Sequence, residues 1–186
     1  MTTKRADILR ATLALISEHG FHGTAMSEIA DRAGVGAGTI YRYFEGKEDL
    51  ITQLYLEVKG EMLKAFLAGY SEDVSLRDRF RTLWFNMLTY FVEHPQRLAF
   101  LEQFTNSPFM TPEVKDTHAE GYAPIARFFE HAFQEGVLKE MPLEMLSIFT
   151  MNVASALAKL HASGELVLDD ETKELAMSAC WDALKR

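Results

Sequence analysis

MSEIADRAGVGAGTIYRYF, residues 26–44, reads as two short helices joined by a sharp turn. Ile29, Ala30 and Ala33 form a small apolar face on the first. Gly34 ends it, because glycine enters the left-handed conformation without a Cβ clash. Ala30, four residues earlier, is small enough for the two helices to cross closely. Val35, Ile40 and Phe44 supply apolar contacts from the other side, the last two at i and i+4. This is the arrangement of a helix-turn-helix. By spacing alone, such a pair can also be ordinary core architecture.

With Ile40 and Phe44 turned inward, Thr39, Arg42 and Tyr43 face outward and Tyr41 sits on the flank. An arginine pairs bidentately with guanine, and a threonine touches a base edge or a thymine methyl. Tyrosine hydroxyls reach phosphates, which position a protein without reading sequence. Gly36, Ala37 and Gly38 carry no bulk, so backbone can approach DNA closely. Lys47, at the start of the next helix, adds an ammonium beside free helix N–H groups, a second phosphate clamp. The competing readings are a solvated Arg42, a buried Tyr41 and a simply exposed Lys47.

Outward from this motif the signals are helical. Lys4 to His19 carries Ile8, Leu9, Leu13 and Ile16 at helical spacing, with Gly20 as a stop. Short helices are expected at 25–34 and 37–44, and a long one from Lys47 to about Gly69 with Leu50, Leu54, Val58 and Met62 on one stripe. Further helices are expected from Val74 to Glu93, from Pro95 to about Asn106, and after the Thr111-Pro112-Glu113 start signal. Tyr122 to Glu135, Pro142 to just before Gly164, and Asp169-Asp170 to about Leu184 complete the set. Strand alternation is absent. The expected class is all-α with about nine helices: a three-helix DNA-binding domain over 1–46 and a larger helical domain over 47–186.

Composition sets bounds. The 186 residues are 48% hydrophobic and 25% charged, the balance of a globular chain. The net charge is −8, of which residues 1–50 carry only −1. That is the wrong sign for coating DNA by bulk electrostatics, so any DNA binding must come from a few well-placed contacts. No run of about 18 apolar residues is evident, the N-terminus lacks an apolar leader core, and Cys180 is the single cysteine. The expectation is a reduced, cytoplasmic setting without a membrane partner. The six histidines form no recognised metal spacing, and no catalytic constellation or cofactor motif is present, so no enzyme, metal or cofactor is expected. Cys180 reads as a small packed side chain.

The chain resembles the TetR-type one-component regulators. The resemblance is carried by Thr24-Ala25-Met26-Ser27-Glu28-Ile29-Ala30, Ala33-Gly34-Val35, Gly38-Thr39-Ile40-Tyr41-Arg42-Tyr43-Phe44 and Gly46-Lys47-Glu48-Asp49-Leu50, with Glu18-His19-Gly20-Phe21 before them. The family's DNA contacts would fall on Ala37, Gly38, Thr39, Tyr41, Arg42, Tyr43 and Lys47. The family usually has Thr or Ser after Thr24 and often a polar residue next; here stand Ala25 and Met26, and Ser27 is the candidate replacement. The resemblance also implies a homodimer on a pseudo-palindromic double-stranded operator, released by a small, mainly apolar effector. Twelve aromatic residues between Phe80 and Phe133 suit either a core or an apolar cavity. Candidate cavity linings are Trp84, Leu88, Phe104, Phe109, Tyr122 and Phe149, with Asn86, Gln103, Asn106, His118 and Asn152 as polar anchors. Residues 143–162 are apolar nearly all round, as a buried helix is. The resemblance places them with Tyr122–Glu135 in a dimer interface, here Phe128, Ala132, Met151, Ala154, Ser155 and Ala158. The alternative is a helical small-molecule-binding protein or enzyme with a vestigial DNA-binding module, for which the acidic net charge and Met26 are the only support.

Overall fold

The computed structural model describes residues 3–117 and 120–186. The chain is helical, and the one β-contact among the described residues is an isolated antiparallel bridge between Leu138 and Lys185. Two compact units form: residues 1–60 with 96–118, and residues 61–95 with 119–186.

The first unit holds α1 (Lys4–Gly23), α2 (Met26–Ala33), α3 (Ala37–Ile40), the first part of α4 (Lys47–Phe66), α6 (Pro95–Thr105) and α7 (Pro112–Asp116). Thr3 caps α1 through the Ala6 N–H, and the chain leaves helical geometry at Gly20 (φ 70°, ψ 178°), where the stop signal stands. Ile8, Leu9, Leu15 and Ile16 of α1, Ile29 of α2, Ile40 and Phe44, and Leu50, Ile51, Leu54 and Val58 of α4 are buried together in this unit's core. Burying each such side chain is worth about 1.5–3 kcal/mol. Phe21 makes edge contacts with Phe100, Phe104 and Phe109, while Tyr55 stacks on Phe104 at 4.1 Å between centroids. Arg5 ties α1 to α4 through Glu57 (2.6 Å) and lies over the Phe44 ring.

The second unit holds the end of α4, α5 (Leu76–Glu93), α8 (Ala123–Gln134), α9 (Leu143–Ala162) and α10 (Asp170–Leu184). Ser75 and Asp169 cap α5 and α10 with their side-chain oxygens, and Gly136 and Gly164 close α8 and α9 with positive φ. Ala154 and Ala158 are buried where α9 packs on α5; a larger side chain would hold the two backbones apart. Phe80 and Trp181 meet at 5.3 Å between α5 and α10. Cys180 is buried, and burial pushes its thiol up.

Two expectations change. α3 is a four-residue helix rather than one reaching Phe44, although turn hydrogen bonds from Arg42, Tyr43 and Phe44 to Thr39 and Ile40 continue its curl. And α9, by length and composition, is apolar enough to cross a membrane. Leu146, Thr150, Ala154 and Ala158 are buried inside the second unit, but most of the helix is left part-exposed or exposed in the single chain, so it is not the all-round buried helix its sequence suggests.

Candidate nucleic-acid interface and apolar cavity

The turn between α2 and α3 is held by backbone alone. Gly34 adopts φ 65°, ψ 34°. Its N–H reaches the Asp31 carbonyl, and the Val35 N–H donates to the Ala30 carbonyl at 3.0 Å. This is the paired 5→2 and 6→1 closure of a Schellman motif. At the other end of α2, the Ala25 N–H donates to the Glu28 carboxylate at 3.0 Å. Ala25 has no side-chain oxygen to return the bond, so half of a capping box forms. Thr24 is buried and donates its hydroxyl to the Gly20 carbonyl at 2.9 Å.

α3 then presents its outer face to solvent. Ile40 and Phe44 are buried, as anchors must be. Ala37, Gly38, Tyr41, Arg42 and Tyr43 are exposed, and Thr39 is half-buried. Two tyrosines at 59% and 46% exposure flank Arg42. Large aromatic surface held in water by a rigid turn is the kind of surface kept for a partner. Ser27 is exposed in the first turn of α2. Lys47 opens α4 half-buried, where the Glu45 N–H donates to Asp49 at 2.9 Å.

The cations are sorted by geometry. Arg32 is spent on a two-pronged pair with Glu18 at 2.9 and 3.0 Å, bracing α2 against α1. That pairing holds the Glu18 carboxyl below, and the Arg32 guanidinium above, their ordinary ranges. Arg42 and Lys47 have no carboxylate partner among the described residues, so their charge stays available to phosphates and bases.

The second unit contains a cavity of about 250 Å³, open at its rim. Phe66 of α4, Met87 of α5, Tyr122, Ile125, Ala126 and Phe129 at α8, and Leu143, Leu146, Ser147, Thr150 and Met151 of α9 line it. A smaller void of about 50 Å³ shares Phe66, Met87, Ile125, Phe129 and Thr150 and adds Phe80, Leu83 and Trp84. α9 widens into a π-helical turn at Ile148–Asn152 beside the cavity. Such single turns often accompany functional sites.

Residues 8–54 match the family described as bacterial regulatory proteins, tetR family, and residues 75–185 match the tetracyclin repressor-like C-terminal domain. The chain belongs to the TetR family. It is 25% identical over 179 residues to an HTH-type transcriptional regulator of Haemophilus influenzae, covering 96% of this chain and 94% of that one. A TetR family transcription regulator from Marinobacter aquaeolei VT8 superimposes with a TM-score of 0.93 at 30% identity, over 98% of this chain and 96% of that one. A TetR-family protein from Vibrio parahaemolyticus gives 0.86 at 35% identity, over 99% of both. The chain is thus a helix-turn-helix transcriptional regulator that binds DNA.

Against the TetR-family expectations for the second unit, the placements are mixed. Trp84 lines the smaller void and Tyr122 the larger cavity. Phe104 and Phe109 belong to the first unit, where Phe21 and Tyr55 pack against Phe104 and Phe21 also meets Phe109. Gln103 is exposed on α6 of that unit. Leu88 is buried away from the cavity lining, and Phe149 and Asn152 point elsewhere on α9. Asn86 is spent on the Phe66 and Ala68 carbonyls at 2.9 and 2.7 Å, closing the end of α4, and Asn106 on the Glu102 carbonyl. His118 lies outside the described residues. Of the interface candidates, Phe128, Ala132, Ala154 and Ala158 are at most 3% exposed within the single chain. Their side chains are taken up by the second unit's own core, leaving Met151 and Ser155 half-exposed. Met151 also lines the cavity. Sequence reading missed Phe66, Ile125, Phe129, Leu143, Leu146, Ser147 and Thr150 as linings. The spacing 143, 146–147, 150–151 is a helical stripe, which in sequence looks the same as any core face.

Proposed function

We propose that this regulator is a homodimeric repressor, released from a pseudo-palindromic operator when a small, mainly apolar molecule enters the cavity of the second unit. The observation that carries it is the pairing of an exposed Tyr41-Arg42-Tyr43 surface on a rigid turn with an open, almost wholly apolar cavity. Residues 1–46 do the DNA reading and 47–186 the sensing and pairing. Thr39 and Arg42 read bases; Tyr41, Tyr43 and Lys47, with Ser27 at α2, hold phosphates; Ala37 and Gly38 allow close approach. Phe66, on α4, lines the cavity. A ligand that displaces it moves the helix beginning at Lys47 and changes the separation of two recognition helices. Only the effector's differential affinity for the two states drives this shift.

Support for pairing comes from α9 and the segment after it. Of the nine exposed large hydrophobics among the described residues, Leu143, Met145, Ile148, Leu160 and Val167 fall there, and Leu175 lies on α10. A regulator acting on DNA as its bacterial relatives do would work in the cytoplasm.

The test is operator binding by gel shift at fixed salt, with DNA from upstream of the protein's own gene. Arg42→Ala is expected to weaken it by about 5- to 150-fold, the 1–3 kcal/mol of a good base contact. Thr39→Ala should weaken it less. Full affinity in both variants would remove this face as the reader. Uniformly weak, competitor-sensitive binding by the wild type would favour a small-molecule binder with a vestigial DNA module.

A further inference from the structure

The polar groups of the large cavity are few, and their hydrogen-bond roles are fixed by their neighbours. The Thr150 hydroxyl lies 2.7 Å from the Leu146 carbonyl, and the Ser147 hydroxyl 2.7 Å from the Glu144 carbonyl. A carbonyl only accepts, so each hydroxyl must donate there. Neither hydroxyl proton is therefore left for a ligand. The Met87 and Met151 thioethers are weak acceptors. Phe66, Phe129 and Tyr122 add aromatic rings, whose faces are electron-rich. Among the described lining residues Tyr122 supplies the one phenol, which can donate as well as accept. No lysine, arginine or histidine is among the described residues that line the cavity. The indole N–H of Trp84, at the smaller void, is buried without a hydrogen-bond partner among the described residues.

An anion entering such a site would shed its hydration and find no cation, and only the Tyr122 hydroxyl and the neighbouring Trp84 indole as donors, to replace it. Burying an unpaired carboxylate or sulfonate is among the most expensive transfers in a protein. The chain's own charge adds to this, since residues 51–186 carry −7 of its −8. With a volume near 250 Å³, the cavity lies just below the usual ligand range of about 300–1,000 Å³.

We infer that the effector is a small uncharged apolar molecule, and that the cavity rejects anionic molecules of the same shape. Its apolar body would pack among Phe66, Ile125, Phe129 and Met151. This rests on the reading of the cavity as the effector site.

The test uses two fluorescent probes with one skeleton. N-phenyl-1-naphthylamine is neutral and carries an N–H donor; 1-anilinonaphthalene-8-sulfonate adds a sulfonate. Both are titrated into the full-length protein. Ala126→Trp, which fills the cavity from α8, identifies the signal that belongs to this site. Ser147→Arg, at a half-exposed position on the lining, supplies the missing cationic donors. The expected result is neutral-probe binding at least tenfold tighter than anionic-probe binding, lost in Ala126→Trp. In Ser147→Arg the ratio should narrow or reverse, with the circular dichroism spectrum unchanged. Equal or tighter binding of the sulfonate by the wild type, removed by Ala126→Trp, would overturn the charge selectivity and leave the effector site standing. No Ala126→Trp-sensitive signal from either probe would overturn both the selectivity and the effector site. Operator binding, measured separately, would still judge the DNA-reading face.

Discussion

Gly34 and Gly38 stand four residues apart in the helix-turn-helix, and alanine at each should move stability in opposite directions. Gly34 sits at φ 65°, and an added Cβ meets nothing within 4 Å. The cost of Gly34→Ala is therefore backbone strain alone, about 1–2 kcal/mol for an L-residue forced left-handed. Gly38 lies inside α3 without a positive φ, and its Cβ also meets nothing within 4 Å. Gly38→Ala gains helix propensity and loses unfolded-state entropy, for a stabilisation of up to about 1 kcal/mol. The two variants should thus differ by roughly 1–3 kcal/mol. Urea unfolding followed by circular dichroism reads this directly. With a slope of about 1–3 kcal/mol per molar, Gly34→Ala should lower the midpoint by roughly 0.5–1.5 M. Gly38→Ala should raise it slightly, yet weaken operator binding, because the new methyl stands where backbone approaches DNA. Gly34→Asn should cost less than Gly34→Ala, since asparagine tolerates the left-handed region. Equal midpoints for Gly34→Ala and wild type would refute the role given to the turn. So would destabilisation by Gly38→Ala.

Three further outcomes follow from the packing. Phe104→Ala should cost about 3–5 kcal/mol by opening a hole under Tyr55 and Phe21; the milder Phe104→Leu should leave neutral-probe binding unchanged, and a lost signal in the folded variant would return Phe104 to the effector site. Burial pushes the Lys59 ammonium from the usual 10.5 down to about 8. The unfolded chain therefore binds more protons between those values, and stability rises with pH across that window; Lys59→Met should be more stable than wild type near neutral pH, by at most about 3 kcal/mol, with the gap closing toward pH 10.5, whereas a pH-independent gap in urea midpoints would contradict it. Ile148→Glu, on the exposed side of α9, should give a folded monomer by sedimentation with weakened operator binding; an unchanged dimer would move the pairing surface elsewhere.

The sequence by itself determined the features that depend on a few neighbouring residues. Gly20 stops α1, Gly34 makes the turn, Thr111 and Asp169 cap their helices, and Ile40 and Phe44 turn inward at i and i+4. Each rests on backbone sterics or on hydrogen bonds within one or two turns, so a short window contains the whole cause. The outward face of α3 was legible for the same reason. The cavity was not. Its wall is assembled from α4, α5, α8 and α9, and whether an aromatic lines a space or fills one depends on what comes from elsewhere in the chain. Phe104 and Phe129 are alike in sequence context, each an aromatic on an amphipathic helix. Only the fold gives Phe104 a stacked partner in Tyr55 and leaves one edge of Phe129 on open volume. Likewise, Ala154 and Ala158 read as an allowance for close helix approach, which was correct. The partner in that approach is α5 of the same chain, since the contact buries both residues completely. Close packing at a distance in sequence is a property of the assembled core, and no local pattern encodes which face will meet it.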